Sequence, residues 1–210
     1  MERTRGAGDG NPAAATRLGV FGGSFNPVHH GHLFLAQLAR EAAGLDHVLF
    51  VPAARPPHKQ GEDLAPAIHR EAMLELALQD EPAASVSRVE LQPGGPRYTV
   101  ETMSRLREQF PEAKLHFIMG MDSLRDLPTW RDPERLLREF RVIAVDRPGL
   151  EPATLDPEVA SRCRLVLGNP FGISGTAIRK RAAAGLSVRH LVPSQVAAYI
   201  RDHALYREPV

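Results

Sequence analysis

The sequence predicts an α/β fold in which a doubly wound parallel sheet carries helices on both faces. Two observations predict it. Short apolar or β-branched runs bounded by Gly, Pro or polar residues have the character of buried strands, and stretches with helical spacing separate the first four of them. Alternation of strand and helix gives βαβ units and therefore a parallel, Rossmann-like sheet.

The strands are predicted first. The six runs cover residues 17–21, 47–51, 86–91, 114–119, 141–145 and 163–167. In a parallel sheet, ligands bind beyond the carboxyl ends of the strands, where the strand order reverses. The loops that follow these strands are therefore where functional residues are expected.

The helices are predicted from apolar spacing and from their end signals. Residues 32–44 end at Gly44, a residue suited to a helix C-terminus, and residues 66–80 begin with Pro66 in the first turn. A third helix is expected over residues 98–110, and the chain closes with helices at 174–185 and 193–206. We expect a disordered tail over residues 1–16 and one domain over 17–210, with a small C-terminal helical part at about 174–207.

Composition narrows the class of protein. The chain has 210 residues, 43% hydrophobic and 24% charged, with a formal net charge of +1. That balance gives no reason to expect a nucleic acid or an anionic membrane as partner, and no apolar run approaches the roughly 20 residues of a membrane helix. The lone Cys163 excludes an internal disulfide and a multi-cysteine zinc site. With no apolar signal segment at the N-terminus, a cytoplasmic setting is expected; the oligomeric state is left open, and a homo-oligomer is compatible with the sequence.

Lysine is scarce in this chain, so a lysine at a candidate site is more informative than an arginine. Of the 26 basic residues, only Lys59, Lys114 and Lys180 are lysines and the rest are arginines. An arginine is background in this chain, whereas a lysine at a candidate site is a sharper signal.

The first motif is GGSFNPVHHGH, directly after the first predicted strand. Gly22 and Gly23 let the backbone turn tightly, so that its N–H groups approach an anion at the next helix N-terminus. His29 and His32 are three residues apart and share one face of the first helical turn. Two imidazoles there suit a polyphosphate, while His30 points elsewhere. Metal ligation is the alternative, but the neighbouring loops offer no further ligands, and no protein-bound metal is expected.

The second motif is GISGTAIRKR, at the start of a C-terminal helix. Ser174 is a good N-cap, Thr176 follows in the first turn, and Arg179 lies about one turn further on. Hydroxyls, free N–H groups and a guanidinium make a second anion site. Two anion sites at the same edge of one sheet are stronger evidence for a phosphate-binding function than either site alone.

These motifs resemble the signatures of the nucleotidyltransferase superfamily, H-x-G-H and I-S-[ST]-T-x-I-R. Between them, VPAARPPHK, YTVET, GMDSLRDLPTW and DRPG follow in the order and approximate spacing of the bacterial nicotinate mononucleotide adenylyltransferases, and the similarity runs from about Arg17 to about Tyr206. Ser24 and Asn26 stand where many relatives carry Thr and Asp. Gly175 replaces a hydroxyl residue, which removes one side-chain contact to phosphate.

The resemblance implies transfer of the adenylyl group of ATP to the 5′-phosphate of nicotinate mononucleotide, giving deamido-NAD and pyrophosphate, with Mg²⁺ arriving on ATP. It implies that His29, His32 and Arg179 are catalytic. The residues implied to bind ATP are Gly22, Gly23, Ser24, Phe25, His29, His32, Gly120, Asp122, Ser174, Thr176 and Arg179. Those implied to bind the mononucleotide are Ser24, Lys59, Tyr98, Thr99, Thr102 and Trp130.

Four alternatives stay open at this point. Asp122 could cap a helix beginning at Ser123 instead of binding ribose, and Trp130 could be a core residue instead of stacking on the pyridine ring. The chain could be a sister enzyme acting on nicotinamide mononucleotide or phosphopantetheine. It could also be a non-catalytic adenine-nucleotide sensor on the same fold, because fold does not dictate function.

Overall fold

The computed structural model describes residues 11–54, 64–146, 148, 155–168 and 171–207, and in these ranges six strands form one sheet. The strands are β1 (Arg17–Gly23), β2 (His47–Pro52), β3 (Ala84–Val86), β4 (Lys114–Gly120), β5 (Arg141–Val145) and β6 (Cys163–Val166). All pairs are parallel and the order is β3-β2-β1-β4-β5-β6. The order reverses between β1 and β4, so the expected ligand crevice lies at their carboxyl ends.

The helices connect these strands and close the chain. They are α1 (His30–Ala43), α2 (Ala67–Leu78), α3 (Thr99–Gln109), α4 (Met121–Asp126), α5 (Pro133–Glu139), α6 (Pro157–Ser161), α7 (Gly175–Ala183) and α8 (Ser194–Asp202). Short 3-10 helices cover Pro12–Ala14 and Leu127–Thr129. As predicted, α1 ends at Gly44 in the left-handed conformation with φ 59°.

The core has two layers, one on each face of the sheet, because side chains alternate along a strand. Phe21, Ile118 and Ile143 lie on one face with the buried stripes of α1, α2, α7 and α8. Val20 and Phe117 lie on the other face with α3, α4 and α5. The predicted doubly wound fold is therefore confirmed.

The structure corrects the position of the third strand. Residues 86–91 were predicted as a strand, but β3 pairs with β2 only over Ala84–Val86. After Ser87 the chain turns, with the N–H groups of Leu91 and Gln92 donating to the Arg88 carbonyl. Arg88 pairs with Glu71 and Glu75 of α2. Val89 is buried in the core and Glu90 accepts from the Thr102 hydroxyl of α3, and these tertiary contacts outweigh the local strand propensity of the run.

The structure also moves the boundary of the predicted tail. Residues 1–10 lie outside the described residues. Residues 11–16 are folded: Pro12–Ala14 form a 3-10 helix, and Thr16 donates from its N–H and its hydroxyl to Asp46 Oδ2 at 3.0 and 2.9 Å. The boundary at residue 17 is therefore too late, while the single domain over the rest stays a proposal.

Three short helices were not predicted with these bounds. α4 was left open only as a helix beginning at Ser123, and α5 and α6 fall between predicted strands. The signal for two of them was present, because Asp132-Pro133 and Asp156-Pro157 place a cap-forming residue before a proline at the first helical position.

Candidate active site

A cavity of about 310 Å³ opens beyond the carboxyl ends of β1 and β4, at the point where the strand order reverses. Three segments form most of its wall: the turn between β1 and α1, the start of α7, and the segment from Gly120 to Trp130. The predicted site residues that line it are Gly22, Gly23, Ser24, His29, His32, Gly120, Asp122, Trp130, Ser174, Thr176 and Arg179. The fold thus joins segments that are up to about 150 residues apart in the chain.

His29 and His32 form a stacked pair at the start of α1. His29 is the N-cap, and its Nδ1 accepts from the His32 N–H at 3.3 Å. The two rings stack with centroids 3.7 Å apart and planes at 18°. Because Nδ1 of His29 accepts, the proton of its neutral ring lies on Nε2. The prediction that both histidines share one face is confirmed, and His30 lines a different cavity.

Phe25 packs against the histidine pair from the core. Its ring is fully buried and meets His32 edge-on at 5.1 Å between centroids, with Phe21 edge-on at 5.5 Å. Its backbone has φ 44°, in the left-handed region that is costly for a bulky residue. A side chain at Gly31 would lie 3.1 Å from His29 Nδ1. The turn is therefore shaped to hold the two imidazoles.

The start of α7 forms the second wall of the cavity. Ser174 is the N-cap, as predicted, and its hydroxyl accepts from the Ala177 N–H at 3.2 Å. Arg179 donates through Nη2 to Thr176 Oγ1 at 3.3 Å and through Nη1 to the Asn26 carbonyl at 2.9 Å. These bonds restrict the guanidinium before any ligand arrives, which lowers the entropy cost of binding an anion there.

Asn26 connects the two walls, and the sequence analysis gave it no role beyond its departure from relatives. It is 3% exposed, and its Oδ1 accepts from the Ala65 N–H at 3.2 Å and from the Tyr206 hydroxyl at 2.9 Å. Burial raises the pKa of Tyr206, so the phenol keeps the proton that it donates. One buried amide thus holds the β1–α1 turn, the segment before α2 and the C-terminal segment together.

Gly175 has a steric reason to lack a side chain. A Cβ at this position would lie 2.8 Å from the Asn26 carbonyl oxygen and 3.4 Å from Arg179 Nη1. A contact under 3.0 Å with a backbone atom forces that backbone to shift. The departure from the hydroxyl residue of the motif therefore lets α7 approach the β1–α1 turn closely.

The third wall follows β4. Gly120 is the N-cap residue of α4 and Asp122 lies in its first turn, so Asp122 does not cap a helix beginning at Ser123. Trp130 lines the cavity with part of its surface and packs edge-on against Phe117 at 6.1 Å with the rest. The core and ligand-facing interpretations of Trp130 are compatible in this geometry.

Several predicted residues do not line the cavity. Phe25 offers it no side chain, so a contact with ATP is left to its backbone. Tyr98 is 40% exposed, with Arg131 over its ring at 5.9 Å, and Thr99 begins α3. Thr102 is buried, and its hydroxyl donates to Glu90 at 2.7 Å. Lys59 lies outside the described residues.

Two charged residues that were not predicted, the buried Arg70 and the partly buried Glu90, lie behind the site. Arg70 of α2 is 1% exposed and donates to the Ala65 carbonyl and the Ser24 carbonyl, each at 2.9 Å. Burial raises the pKa of Glu90, while hydrogen bonds from Thr102 and the Ala54 backbone, together with the charge of Arg70, oppose that rise. An arginine 46 residues beyond the turn thus fixes the backbone of Ser24. Only the charge of Arg70 in an otherwise apolar stripe could have signalled it.

The donor set of the cavity suits anions. It combines two imidazoles, one guanidinium, hydroxyls and two helix N-termini, whose dipoles favour negative charge. Asp122 is the one carboxylate among the described residues that line it. In the described part of the chain no group of three or more His, Cys, Asp or Glu is arranged to hold a metal ion. Nor is any described helix both long and apolar enough to cross a membrane.

Comparison with protein families gives one match over most of the chain. The cytidylyltransferase-like family model matches residues 20–181. A probable nicotinate-nucleotide adenylyltransferase of Thermus thermophilus is 47% identical over 91% of this chain and 100% of its own length. The nicotinate-nucleotide adenylyltransferase of Bacillus subtilis is 37% identical over 90% of this chain and 98% of its own.

Solved structures agree with the fold. The nicotinic acid mononucleotide adenylyltransferase of Plasmodium falciparum, complexed with NaAD, superimposes with a TM-score of 0.78 at 17% identity. The match covers 91% of this chain and 97% of that one. At this identity the comparison supports the fold alone.

Proposed function

We propose that this chain, which belongs to the nicotinate-nucleotide adenylyltransferases of the cytidylyltransferase-like family, transfers the adenylyl group of ATP to the 5′-phosphate of nicotinate mononucleotide. The products are deamido-NAD, the NaAD of the related complex, and pyrophosphate. The observation that carries the proposal is the meeting of two anion-binding walls, His29–His32 and Ser174–Arg179, in one cavity at the switch point of the sheet.

The chemistry needs placement more than proton transfer. The attacking group is a phosphate whose second pKa is near 6, so it is largely a dianion at neutral pH without a general base. Catalysis then consists of bringing two anions into line and stabilising charge on the α-phosphate and the departing pyrophosphate. A site without an assigned catalytic carboxylate or nucleophile is what such a reaction requires.

The two walls contact different parts of ATP. Gly22 and Gly23 let backbone N–H groups reach the phosphates, and His29 and His32 donate as charge moves onto the leaving group. Ser174, Thr176 and Arg179 hold the β- and γ-phosphates. Gly120 and Asp122 contact the adenosine ribose.

The mononucleotide takes the remaining surface. Ser24 and Lys59 bind its phosphate, and Trp130 stacks on the pyridine ring. Tyr98, Thr99 and Thr102 were predicted beside that ring. In view of their positions, we now assign Tyr98 to the outer rim, next to Arg131, and Thr102 to the support of Glu90.

Mg²⁺ enters with ATP in this proposal. A single carboxylate, Asp122, does not make a protein cage, whereas ATP phosphates are good Mg²⁺ ligands. Bound in this way, the ion neutralises charge on the polyphosphate. We place the reaction in the cytoplasm.

Two alternatives are tested together with the proposal. A sensor would bind ATP without turnover, and a sister enzyme would prefer another acceptor. The test is pyrophosphate release by the full chain with ATP and, in turn, nicotinate mononucleotide, nicotinamide mononucleotide or phosphopantetheine. We expect turnover with the first and a kcat/KM lower by tens to thousands of times with the amide, whose donors are left unpaired. Binding of ATP without release in any of the three would establish the sensor.

A further inference from the structure

A second cavity, of about 750 Å³, lies at the opposite edge of the sheet, at the amino ends of β1, β4, β5 and β6. Its wall is basic: it includes Arg17, Lys114, His116, Arg141 and Arg164. In a chain whose formal net charge is +1, this is a strong local concentration of positive charge. The function proposed above uses none of these residues.

The strand register places these five side chains on one face of the sheet. Arg17 is the Cα partner of Lys114, and His116 is the partner of Arg141. Arg164 is the partner of Ile143, two residues beyond Arg141. Paired residues in parallel strands share a face, as do residues two apart in one strand. With strands about 4.8 Å apart, the cluster spans about 14 Å across the sheet.

The charges of this cluster are not balanced by nearby carboxylates. Arg107 and Arg162, which line the same cavity, pair with Glu139 and Glu134 at 3.1 and 2.8 Å. Within the described ranges, no ion pair within 4.0 Å involves Arg17, Lys114, Arg141 or Arg164.

Asp46 is the carboxylate that acts on Arg17. Its Oδ2 is already an acceptor for the N–H groups of Thr16 and Arg17, at 3.0 and 2.9 Å, and for the Thr16 hydroxyl. It is therefore committed to the start of β1.

The His116 side chain is a second, independent observation that indicates a ligand in this cavity. Its ring is 2% exposed and lines the cavity. Nδ1 lies 2.9 Å from the Lys114 carbonyl, which can only accept, so Nδ1 carries the proton. Nε2 is buried, and the described residues provide it with no hydrogen-bond partner. A buried polar atom in this state costs free energy unless something bonds to it.

The charge state of this ring depends on what occupies the cavity. Burial lowers the pKa of His116, the bond to the Lys114 carbonyl raises it, and Arg17, Arg141 and Arg164 lower it further. Glu139 is the one acidic residue among the described residues that line the cavity. An anion among the arginines would offset their charge and favour the imidazolium, whose Nε2–H could then donate to that anion.

We propose that this amino-edge cavity binds a small phosphate anion, inorganic phosphate or pyrophosphate, held by Lys114, Arg141 and Arg164 and by a His116 that takes up a proton from solvent. Because the ring is only 2% exposed, a small ion suits this cavity better than the backbone of a polymer does. The site is separate from the adenylyl-transfer centre, and its test does not depend on activity.

The experiment follows the His116 ring by NMR in the full chain labelled with ¹⁵N-histidine, with His116→Gln to identify its signals. Inorganic phosphate and pyrophosphate are titrated separately to about 10 mM, and we expect a saturable shift toward the imidazolium spectrum with Kd on the order of 1 mM or tighter. Calorimetry in two buffers of different ionisation enthalpy should show proton uptake on binding. No saturable shift with either anion would overturn the proposal, as would a response to a single-stranded oligonucleotide alone.

Matched variants test the assignment of the residues. Arg141→Gln/Arg164→Gln should raise Kd at least about tenfold, since it removes two charge-assisted contacts. Arg189→Gln, which removes an exposed arginine outside this cavity, should change Kd by less than about twofold. The double variant should keep its unfolding transition and its turnover, because its side chains contact no active-site residue. An unchanged Kd in the double variant would contradict the proposal.

Discussion

The two edges of the sheet present positively charged and hydrogen-bond-donating groups in different ways. At the carboxyl edge the cavity of about 310 Å³ meets the N-termini of α1 and α7, and its groups are held by local hydrogen bonds such as Arg179 to Asn26 at 2.9 Å. At the amino edge, Ala43 at the C-terminal end of α1 lines a wider cavity of about 750 Å³ with a basic wall.

This difference follows from the direction of the helices in a doubly wound fold. Helices run antiparallel to the strands, so their N-termini gather at the carboxyl edge and their C-termini at the amino edge. The carboxyl edge can bind anions through backbone groups of fixed geometry. The amino edge has to rely on long basic side chains, whose effect is largely electrostatic and weakens with salt. Backbone groups of fixed geometry are suited to catalysis, whereas flexible charged side chains are suited to reversible binding.

The largest expected effect is at His32, and it tests whether the carboxyl edge acts on the transition state. His32→Ala should lower kcat at least about a hundredfold, the loss typical of removing one transition-state donor, while most ATP affinity remains. Steady-state kinetics and ATP titration measure the two quantities, and the far-UV spectrum checks the fold. A variant that keeps more than about a tenth of wild-type turnover would remove His32 from the mechanism.

The next effect tests the fixed geometry itself. Gly175→Ala places a Cβ 2.8 Å from the Asn26 carbonyl oxygen, next to Arg179. Overpacking costs about 1–3 kcal/mol, which exceeds the roughly 0.4–1 kcal/mol gained by restricting the unfolded chain. We expect a lower free energy of unfolding and a kcat/KM reduced about tenfold.

The matched control for this substitution is Gly172→Ala. A Cβ at Gly172 meets nothing within 4 Å, and its φ is not positive. That variant should keep its stability and kcat/KM within about twofold of wild type. If both glycine variants behave alike, close packing at Gly175 is not what holds Arg179.

Trp130 offers a smaller test, of how the mononucleotide is recognised. Trp130→Ala should raise KM for nicotinate and nicotinamide mononucleotides alike, by about tenfold, because stacking depends little on the ring substituent. The ratio of their kcat/KM values should stay close to that of wild type. A ratio that collapses to one would mean that Trp130 orders the groups that select the acid.

The smallest effect concerns the amino edge and pH. Burial lowers the pKa of His116 from 6.5, so below pH 6.5 the unfolded chain binds a proton that the folded ring resists. The free energy of unfolding should therefore fall as pH drops from 6.5 toward the folded pKa, and His116→Gln should flatten that slope. Urea unfolding at several pH values between about 5 and 7.5 measures it.

His47 also contributes to the pH dependence that this experiment measures. Burial lowers its pKa as well, and its Nε2 lies 2.8 Å from Ser85 Oγ. His116→Gln should thus reduce the slope, and the double variant with His47→Gln should reduce it further. Saturating pyrophosphate should flatten the slope of the wild type more than that of His116→Gln, since pyrophosphate bound at the active site affects both alike; equal effects on both would separate His116 from the anion.

The doubly wound fold and five of the six strand positions could be predicted from the sequence, because the signals for them, such as apolar runs, Gly44 and the paired glycines, are local. The sequence also identified both motifs whose residues line the cavity at the carboxyl edge. The resemblance to a family supplied the rest of the candidate site. The roles of Glu90, Arg70 and Asn26 could not be predicted in this way, because each depends on partners that are not neighbours in the chain.

Those polar contacts and the place of the run at 86–91 are visible only in the folded chain, where burial of Val89 and the bond between Glu90 and Thr102 override strand propensity. The tertiary structure also decided that Gly175 must lack a side chain, since the atom in the way belongs to Asn26, almost 150 residues earlier. The basic amino edge is of the same kind. Arg17, Lys114, His116, Arg141 and Arg164 are scattered along the sequence, and only the register of four parallel strands puts them on one face.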